Sequence, residues 1–336
     1  IHQYHTILFL FFLSAFCSCT NNNATTEAEV VNGEEAIGLM QVEEGFEVRL
    51  VAAEPLVVAP VAMCFDKHGR LWVVEMTGYM PDTAGRGEEH PNGKIIILED
   101  EDGDGKMDTR KLFLDSLVLP RAISFVENGL LVAEPPYLWY FEINNDLPVN
   151  KIMVDSAYAV GGNAEHQPNG LYRAVDNWIY SATGNYRYKK QGEVSLKEPA
   201  LKRGQWGISQ DDIGRLFYNN NSQNMLGDFF PAAFISSRGF QPSVKGFNER
   251  VVKDNRVYPI RPTPGVNRGY MEGILDEELK LVNFTAASGP VIYRGQLFPD
   301  EFYGNAFVGE PAAHLIKRNI LQYGATVSGV QAYESK

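Results

Sequence analysis

Read for the alternation of apolar and polar positions, the chain is a series of short strands. Apolar runs of strand length are separated by turns of Asp, Asn and Gly, and helical spacing of apolar positions is scarce. From Phe46 onward one unit recurs: an apolar strand, an acidic or polar turn often containing Gly, then a strand rich in aromatic and branched residues. Val61–Phe65 and Leu71–Glu75 flank the turn Asp66–Gly69, and Ala122–Val126 and Leu130–Glu134 flank Glu127–Gly129. Leu171–Val175 with Trp178–Ala182, Gly207–Gln210 with Leu216–Asn219, and Val291–Arg294 with Ala306–Glu310 are further copies. Their uneven spacing argues against a strict solenoid. It suits β-propeller blades with loop insertions, each a four-stranded sheet whose faces need neighbours. A β-sandwich with similar hairpins is the competing arrangement. Residues 219–285 carry few strand signals and are expected to form a structured insertion over one end of the propeller, as a wall of its pocket.

Composition sharpens this picture. At 336 residues, with 31 Gly and 18 Pro, the chain can bury a sizeable core and is rich in turns. The net charge is −12 and the basic residues are scattered, so no Lys/Arg stripe suits a nucleic acid. Ile7–Phe16 has the length of a signal-peptide apolar core, too short to span a bilayer. It ends in Phe16-Cys17-Ser18-Cys19, which looks like a bacterial lipobox with Cys19 as the acylated residue; an ordinary cleaved signal peptide is the alternative. Without an initiator Met or a basic leading region, the start is expected to be clipped. Residues 20–44 read as a polar, acidic tether, and residues 45–336 as the propeller domain. Within that domain Cys64 is the one cysteine, so no disulfide framework is expected there.

Three stretches could carry chemistry. Asp100, Asp102, Asp104 and Asp108 follow the pattern D-x-D-x-D-G-x-x-D between the strands Lys94–Leu98 and Thr109–Leu114. Carboxylates at alternate positions around a turning Gly105 can wrap a Ca²⁺ ion in a structural role; a solvated acidic turn is the plainer reading. His166 lies in a polar loop beside Glu165 and Asn169, ahead of a hairpin. A neutral imidazole there could take a proton from a hydroxyl group, or simply be a hydrogen-bonded loop histidine. Lys202-Arg203-Gly204-Gln205-Trp206 precedes the next hairpin, so both loops should open on one face, where Arg203 could grip a carboxylate. Arg121 holds the corresponding position one blade earlier, and Glu134, Asn185, Arg268 and Glu310 are weaker candidates. G-x-S-x-G, H-E-x-x-H, Walker and C-x-x-C-H motifs do not occur.

The runs GFEVRLVAAEPLVVAPVAMCFDKHGRLWVVE, EHQPNGLYRAVDNWIYSATGN, RGQWGISQDDIGRLFYNNN and FTAASGPVIYRG with FVGEPAAHLIKR resemble the propeller of sorbosone-dehydrogenase-like, membrane-associated dehydrogenases. That family is related to the soluble glucose dehydrogenases that use pyrroloquinoline quinone. The resemblance implies an all-β, six-bladed propeller of which these residues carry part, so the chain is expected to continue beyond Lys336. It implies oxidation of a sugar, aldose or related alcohol with a quinone cofactor and Ca²⁺, His166 acting as base. Arg203, Gln205, Asn169 and Arg121 would lie around the cofactor. The family has Asn where this chain has Gly204. Electrons would pass to a haem-c domain, if one follows, or to another acceptor, and the protein would sit in the cell envelope on a lipid anchor. A non-catalytic propeller binding glycans or proteins, and a Ca²⁺-dependent lactonase, are the rival readings.

Overall fold

The computed structural model describes residues 31–234 and 245–321. The apolar run Ile7–Phe16 and Cys19 lie outside the described residues. The chain divides into two compact units, residues 1–50 and 51–336. In the first, a single helical turn, α1 (Gly33–Gly38), interrupts the expected featureless tether. It buries no residue; a local capping box holds it, with Asn32 accepting from the Glu35 N–H and Glu35 from the Asn32 N–H. Among the described residues no helix is long and apolar enough to cross a membrane.

The second unit is all-β. Blade 1 comprises β1 (Pro60–Phe65), β2 (Leu71–Glu75), β3 (Gly93–Glu99) and β4 (Thr109–Leu117). Blade 2 comprises β5 (Ala122–Val126), β6 (Gly129–Glu134), β7 (Tyr137–Asn144) and β8 (Leu147–Asp155). Blade 3 comprises β9 (Asn169–Arg173), β10 (Ile179–Ala182), β11 (Tyr186–Gln191) and β12 (Val194–Pro199). Blade 4 comprises β13 (Ile208–Gln210), β14 (Arg215–Asn220), β15 (Gln223–Pro231) and β16 (Glu249–Arg250). Blade 5 has three strands, β17 (Ser288–Ile292), β18 (Ala306–Glu310) and β19 (Leu315–Asn319). Every sheet is an antiparallel meander, and the first strands touch in chain order, β1 to β5 to β9 to β13 to β17.

This is a five-bladed β-propeller arrangement, which corrects the expectation of six blades. The five hairpins read from the sequence are the first two strands of the five sheets. The sixth blade came from the family resemblance alone, with no hairpin of its own among the described residues.

Period-two alternation explains why the blades stack. Along β6, Leu130 and Val132 pack with Trp72, Val74, Ile95 and Ile97 of blade 1, while Leu131 and Ala133 pack with Leu171, Ile179 and Tyr188 of blade 3. Both faces are therefore covered and the strand reads as one apolar run. Burying each Leu or Val stabilises the stack by roughly 1.5–3 kcal/mol. The outer face of β2 and β3 is covered by Ala52, Leu56 and Val57. Cys64 packs against the core between blades 1 and 2, and burial pushes its thiol up to about 12.

The turns between first and second strands repeat a device: Asp66 and Asp211 each accept main-chain N–H groups of their own turn and pair with Arg70 and Arg215. The 219–285 stretch carries more of the blade architecture than its weak strand signals suggested. It supplies β15 and β16, and then Val257, Val266, Leu281 and Phe284 fill the core between blades 4 and 5. A reciprocal amide pair, Asn224 with Asn319 at 2.8 and 3.0 Å, ties β15 to β19 in the same interior.

Candidate functional site

A meander blade places the loop leading into its first strand and the loop after its second strand at one end, and its other two turns at the opposite end. The leading loops of blades 2, 3 and 4 therefore share a face, and hydrogen bonds join them.

The Asp155–Asn169 connection ends in a single 3-10 turn, Ala164–His166, capped by Asn163. His166 is exposed, and its Nδ1 lies 2.5 Å from Gln205 Nε2 on the next leading loop. Gln205 is fixed on both sides: its N–H donates to the Asn219 carbonyl at 2.7 Å, and its carbonyl accepts from Asn169 Nδ2 at 2.7 Å. Asn169 Oδ1 in turn accepts from the Gly207 N–H at 3.1 Å. The Trp206 ring lies 6.0 Å from that of His166, and its Nε1 donates to Asn221 Oδ1. The Gly289 N–H, from blade 5, donates to the Trp206 carbonyl at 3.1 Å.

Glycine makes this convergence possible. An added Cβ on Gly170, at φ +60°, would stand 3.0 Å from Gly207 Cα, and one on Gly207, at φ +79°, 3.5 Å from Gly289 Cα. The tight approach is at Gly170; at Gly207 there is room for a Cβ, and the positive φ is what favours glycine.

The orientation of the Gln205 amide sets the chemistry of His166. With Nε2 facing the ring, Nδ1 accepts and the ring proton sits on Nε2. With the amide turned, its oxygen accepts from Nδ1–H and Nε2 carries the free lone pair.

Arg121 starts blade 2, its N–H donating to the Ala133 carbonyl at 3.0 Å. Its Nη1 donates to the Ala164 carbonyl at 2.5 Å, two residues before His166, and its Nε is buried without a partner. Burial pulls its pKa down, offset by Tyr158, Tyr79 and Glu88. Tyr79, from the long loop of blade 1, is held up by burial first and then by Glu165 and Glu88.

Of the residues singled out in the sequence, His166, Asn169, Gln205 and Arg121 thus come together. Arg203 does not join them. It is 2 % exposed, and its Nε binds Asp228 at 2.6 Å, between the rings of Tyr180 and Phe247. Tyr218 Oη donates to the same carboxylate at 2.6 Å. The guanidinium expected to grip a ligand carboxylate is instead matched inside blade 4. Gly204 has a structural reason as well: at φ +53°, an added Cβ would stand 2.8 Å from Tyr218 Cβ and 3.0 Å from the Asn219 carbonyl oxygen. An Asn at this position would push β14 aside.

The weaker candidates have other duties. Glu134 accepts from the Val118 N–H, and Glu310 from the N–H groups of Thr285, Ala286 and Ala312. Glu75 does the same for Val58. A glutamate at the end of the second strand thus fastens the leading loop in blades 1, 2 and 5. Asn185 and Arg268 are exposed. Sequence reasoning missed Tyr79, Asn221 and Asp228. Asn221, in the Asn run directly after β14, was the most legible of them, because that loop had to reach the site face.

The acidic loop joins β3 to β4, at the end away from His166. Carboxylate oxygens of Asp100, Asp102 and Asp108 lie within 4.8 Å of one another, and Asp104 stands outside that group, accepting from the Lys106 N–H. Hydrogen bonds from Gly105 and then Gly103 lower the Asp100 pKa. The three carboxylates could hold one hard cation.

Fold and loop geometry define the class: a five-bladed β-propeller whose leading loops assemble a His-amide cluster beside an arginine. More particularly, the chain belongs to the family described as Domain of unknown function (DUF7133), whose profile matches residues 32–336. No curated protein matches it.

Similar solved structures include the PQQ domain of a pyranose dehydrogenase from Coprinopsis cinerea, at 12% identity over 88% of this chain and 85% of that one, with a TM-score of 0.48. A glucose-dehydrogenase-type oxidoreductase from Thermus thermophilus is similar at 10% identity over 83% and 84%, TM-score 0.43. A gluconolactonase from Xanthomonas campestris is similar at 15% identity over 51% of this chain, TM-score 0.36. The chain spans 57% of that gluconolactonase and 57% of a second gluconolactonase-type structure. At such low identities and TM-scores, these likenesses carry no argument about chemistry.

Proposed function

We propose that this propeller is an oxidoreductase acting on a sugar or related alcohol, with His166 handling the hydroxyl proton and a quinone as electron acceptor. The observation that supports this reading is the Gln205–His166 contact, which holds an exposed imidazole in one orientation on a rigid multi-blade base. Oxidation of a secondary alcohol or hemiacetal breaks one O–H and one C–H bond and forms C=O. The proton goes to His166, at Nε2 once the Gln205 amide turns its oxygen to Nδ1–H. When bound, the quinone supplies the acceptor for the hydride. Asn169 and Gln205 would hold its polar edge. Arg203, committed to Asp228, would not contribute.

In this reading the chain works in the cell envelope, tethered through Cys19, and passes electrons to a haem-c or other acceptor. Dye-linked oxidation across a panel of sugars, after loading with pyrroloquinoline quinone, is the test. His166→Ala should abolish dye reduction while leaving the circular dichroism spectrum unchanged, and full activity in that variant removes His166 from the mechanism.

A further inference from the structure

Among the described residues of the propeller unit six arginines are buried or half-buried: Arg70, Arg121, Arg187, Arg203, Arg215 and Arg318. Five have a carboxylate within 4 Å: Arg70 pairs with Asp66 and Asp146, Arg187 with Glu198, Arg203 with Asp228, Arg215 with Asp211 and Arg318 with Glu301. Arg121 alone among these has none in the described residues. A cation taken out of water without a counter-charge is costly, and proteins ordinarily pair it. Here one hydrogen bond goes to the Ala164 carbonyl, and Nε is buried with no acceptor, as are Arg203 Nη2 and Arg318 Nε; what sets Arg121 apart is the missing carboxylate.

Nearby acidic groups do not supply the missing partner. Glu88 turns its Oε1 to the Met80 N–H at 3.0 Å, and Tyr158 is engaged with Ser181 at 2.9 Å. Glu165 and Tyr79 complete the titratable surroundings. The guanidinium is also tied to the turn that ends at His166, which puts both groups on the same end of the blades.

We propose that Arg121 is the receptor for a carboxylate, so that the His166 site takes a sugar acid in preference to a neutral sugar. A guanidinium offers paired N–H donors matched to the two oxygens of a carboxylate, which a hydroxyl cannot satisfy equally. The proposal builds on the oxidoreductase reading for the identity of the site, and it is tested by binding, without turnover.

Isothermal titration calorimetry at low salt would compare D-glucuronate with D-glucose on the full chain, on Arg121→Gln and on Arg121→Lys. Glucuronate should bind the wild type at least about tenfold tighter than glucose, the margin of one charge-assisted hydrogen bond. Arg121→Gln should lose that margin and Arg121→Lys should keep part of it. Equal affinities for the two sugars in the wild type, or an intact margin in Arg121→Gln, overturn the proposal. If Arg121→Gln does not fold, sulfate competition on the wild type decides: sulfate should displace glucuronate and leave glucose binding untouched, and failure to displace overturns the assignment.

Pyrroloquinoline quinone forms a further arm. Arg121-dependent binding of the quinone, with equal glucuronate and glucose affinities, would give the carboxylate to the cofactor and overturn the substrate assignment. Arg121-dependent glucuronate binding in a protein that reduces no dye would leave this assignment standing and remove the oxidoreductase reading.

Discussion

Replacing Asp228 by Ala is the sharpest test of how blade 4 is held together. Asp228 is fully buried and receives Arg203 Nε at 2.6 Å, Tyr218 Oη at 2.6 Å and the Asn248 N–H at 3.3 Å. Asp228→Ala strands a guanidinium that is 2 % exposed, and orphans a tyrosine hydroxyl in the same interior. Removing one partner of a buried pair costs about 3–5 kcal/mol. That is a large share of the roughly 5–15 kcal/mol that keeps a domain folded. Urea unfolding followed by tryptophan fluorescence would read the loss as a lower midpoint at unchanged slope. The double variant Arg203→Met with Asp228→Leu removes both charges and should recover part of the loss, leaving about 1–3 kcal/mol for the unpartnered Tyr218 hydroxyl. A cost under about 1 kcal/mol for Asp228→Ala would refute the reasoning, because the pair would then not be desolvated. The double variant should also keep its Arg121-dependent glucuronate margin, since Arg203 lies outside that site.

Other perturbations follow from the same contacts. Gly204→Asn should destabilise by about 1–3 kcal/mol through overpacking against Tyr218, read as a lower melting temperature. Asp146 joins blade 2 to blade 1 through Arg70, and Arg70 followed by Lys111 holds its carboxyl at about 2, below its usual 3.8. Its folded pKa is depressed, so its contribution, at most about 2 kcal/mol and less in high salt, is complete above the unfolded value and lost as pH falls toward 2. Asp146→Asn should therefore show a shallower loss of stability across that window. Ca²⁺ should raise the melting temperature of the wild type by occupying the Asp100, Asp102 and Asp108 loop, and Asp102→Asn with Asp108→Asn should abolish the rise; no rise in the wild type leaves a solvated turn.

How much of this was legible in the chain follows from the range of the forces involved. The paired strands, their Asp-Gly turns and the acidic loop are local: alternation such as Leu130–Ala133 records a strand covered on both faces, and Asp66 or Asp211 closes a turn with its own neighbours. The meeting of the His166 and Arg203 loops at one end followed from strand direction alone. What followed tertiary packing was which side chain each loop sent to that end. Arg203 and Arg121 look alike in sequence, a cation just ahead of a strand. Asp228, 25 residues further on, reaches back across two strands to neutralise the first, while among the described residues no carboxylate pairs with the second. The five hairpins were legible locally and match the five sheets, while the sixth blade came from the resemblance; where Val257, Val266, Leu281 and Phe284 packed, in the seam between blades 4 and 5, was a matter of tertiary structure. Partner identity at long range is set by three-dimensional proximity and desolvation, which no local pattern encodes.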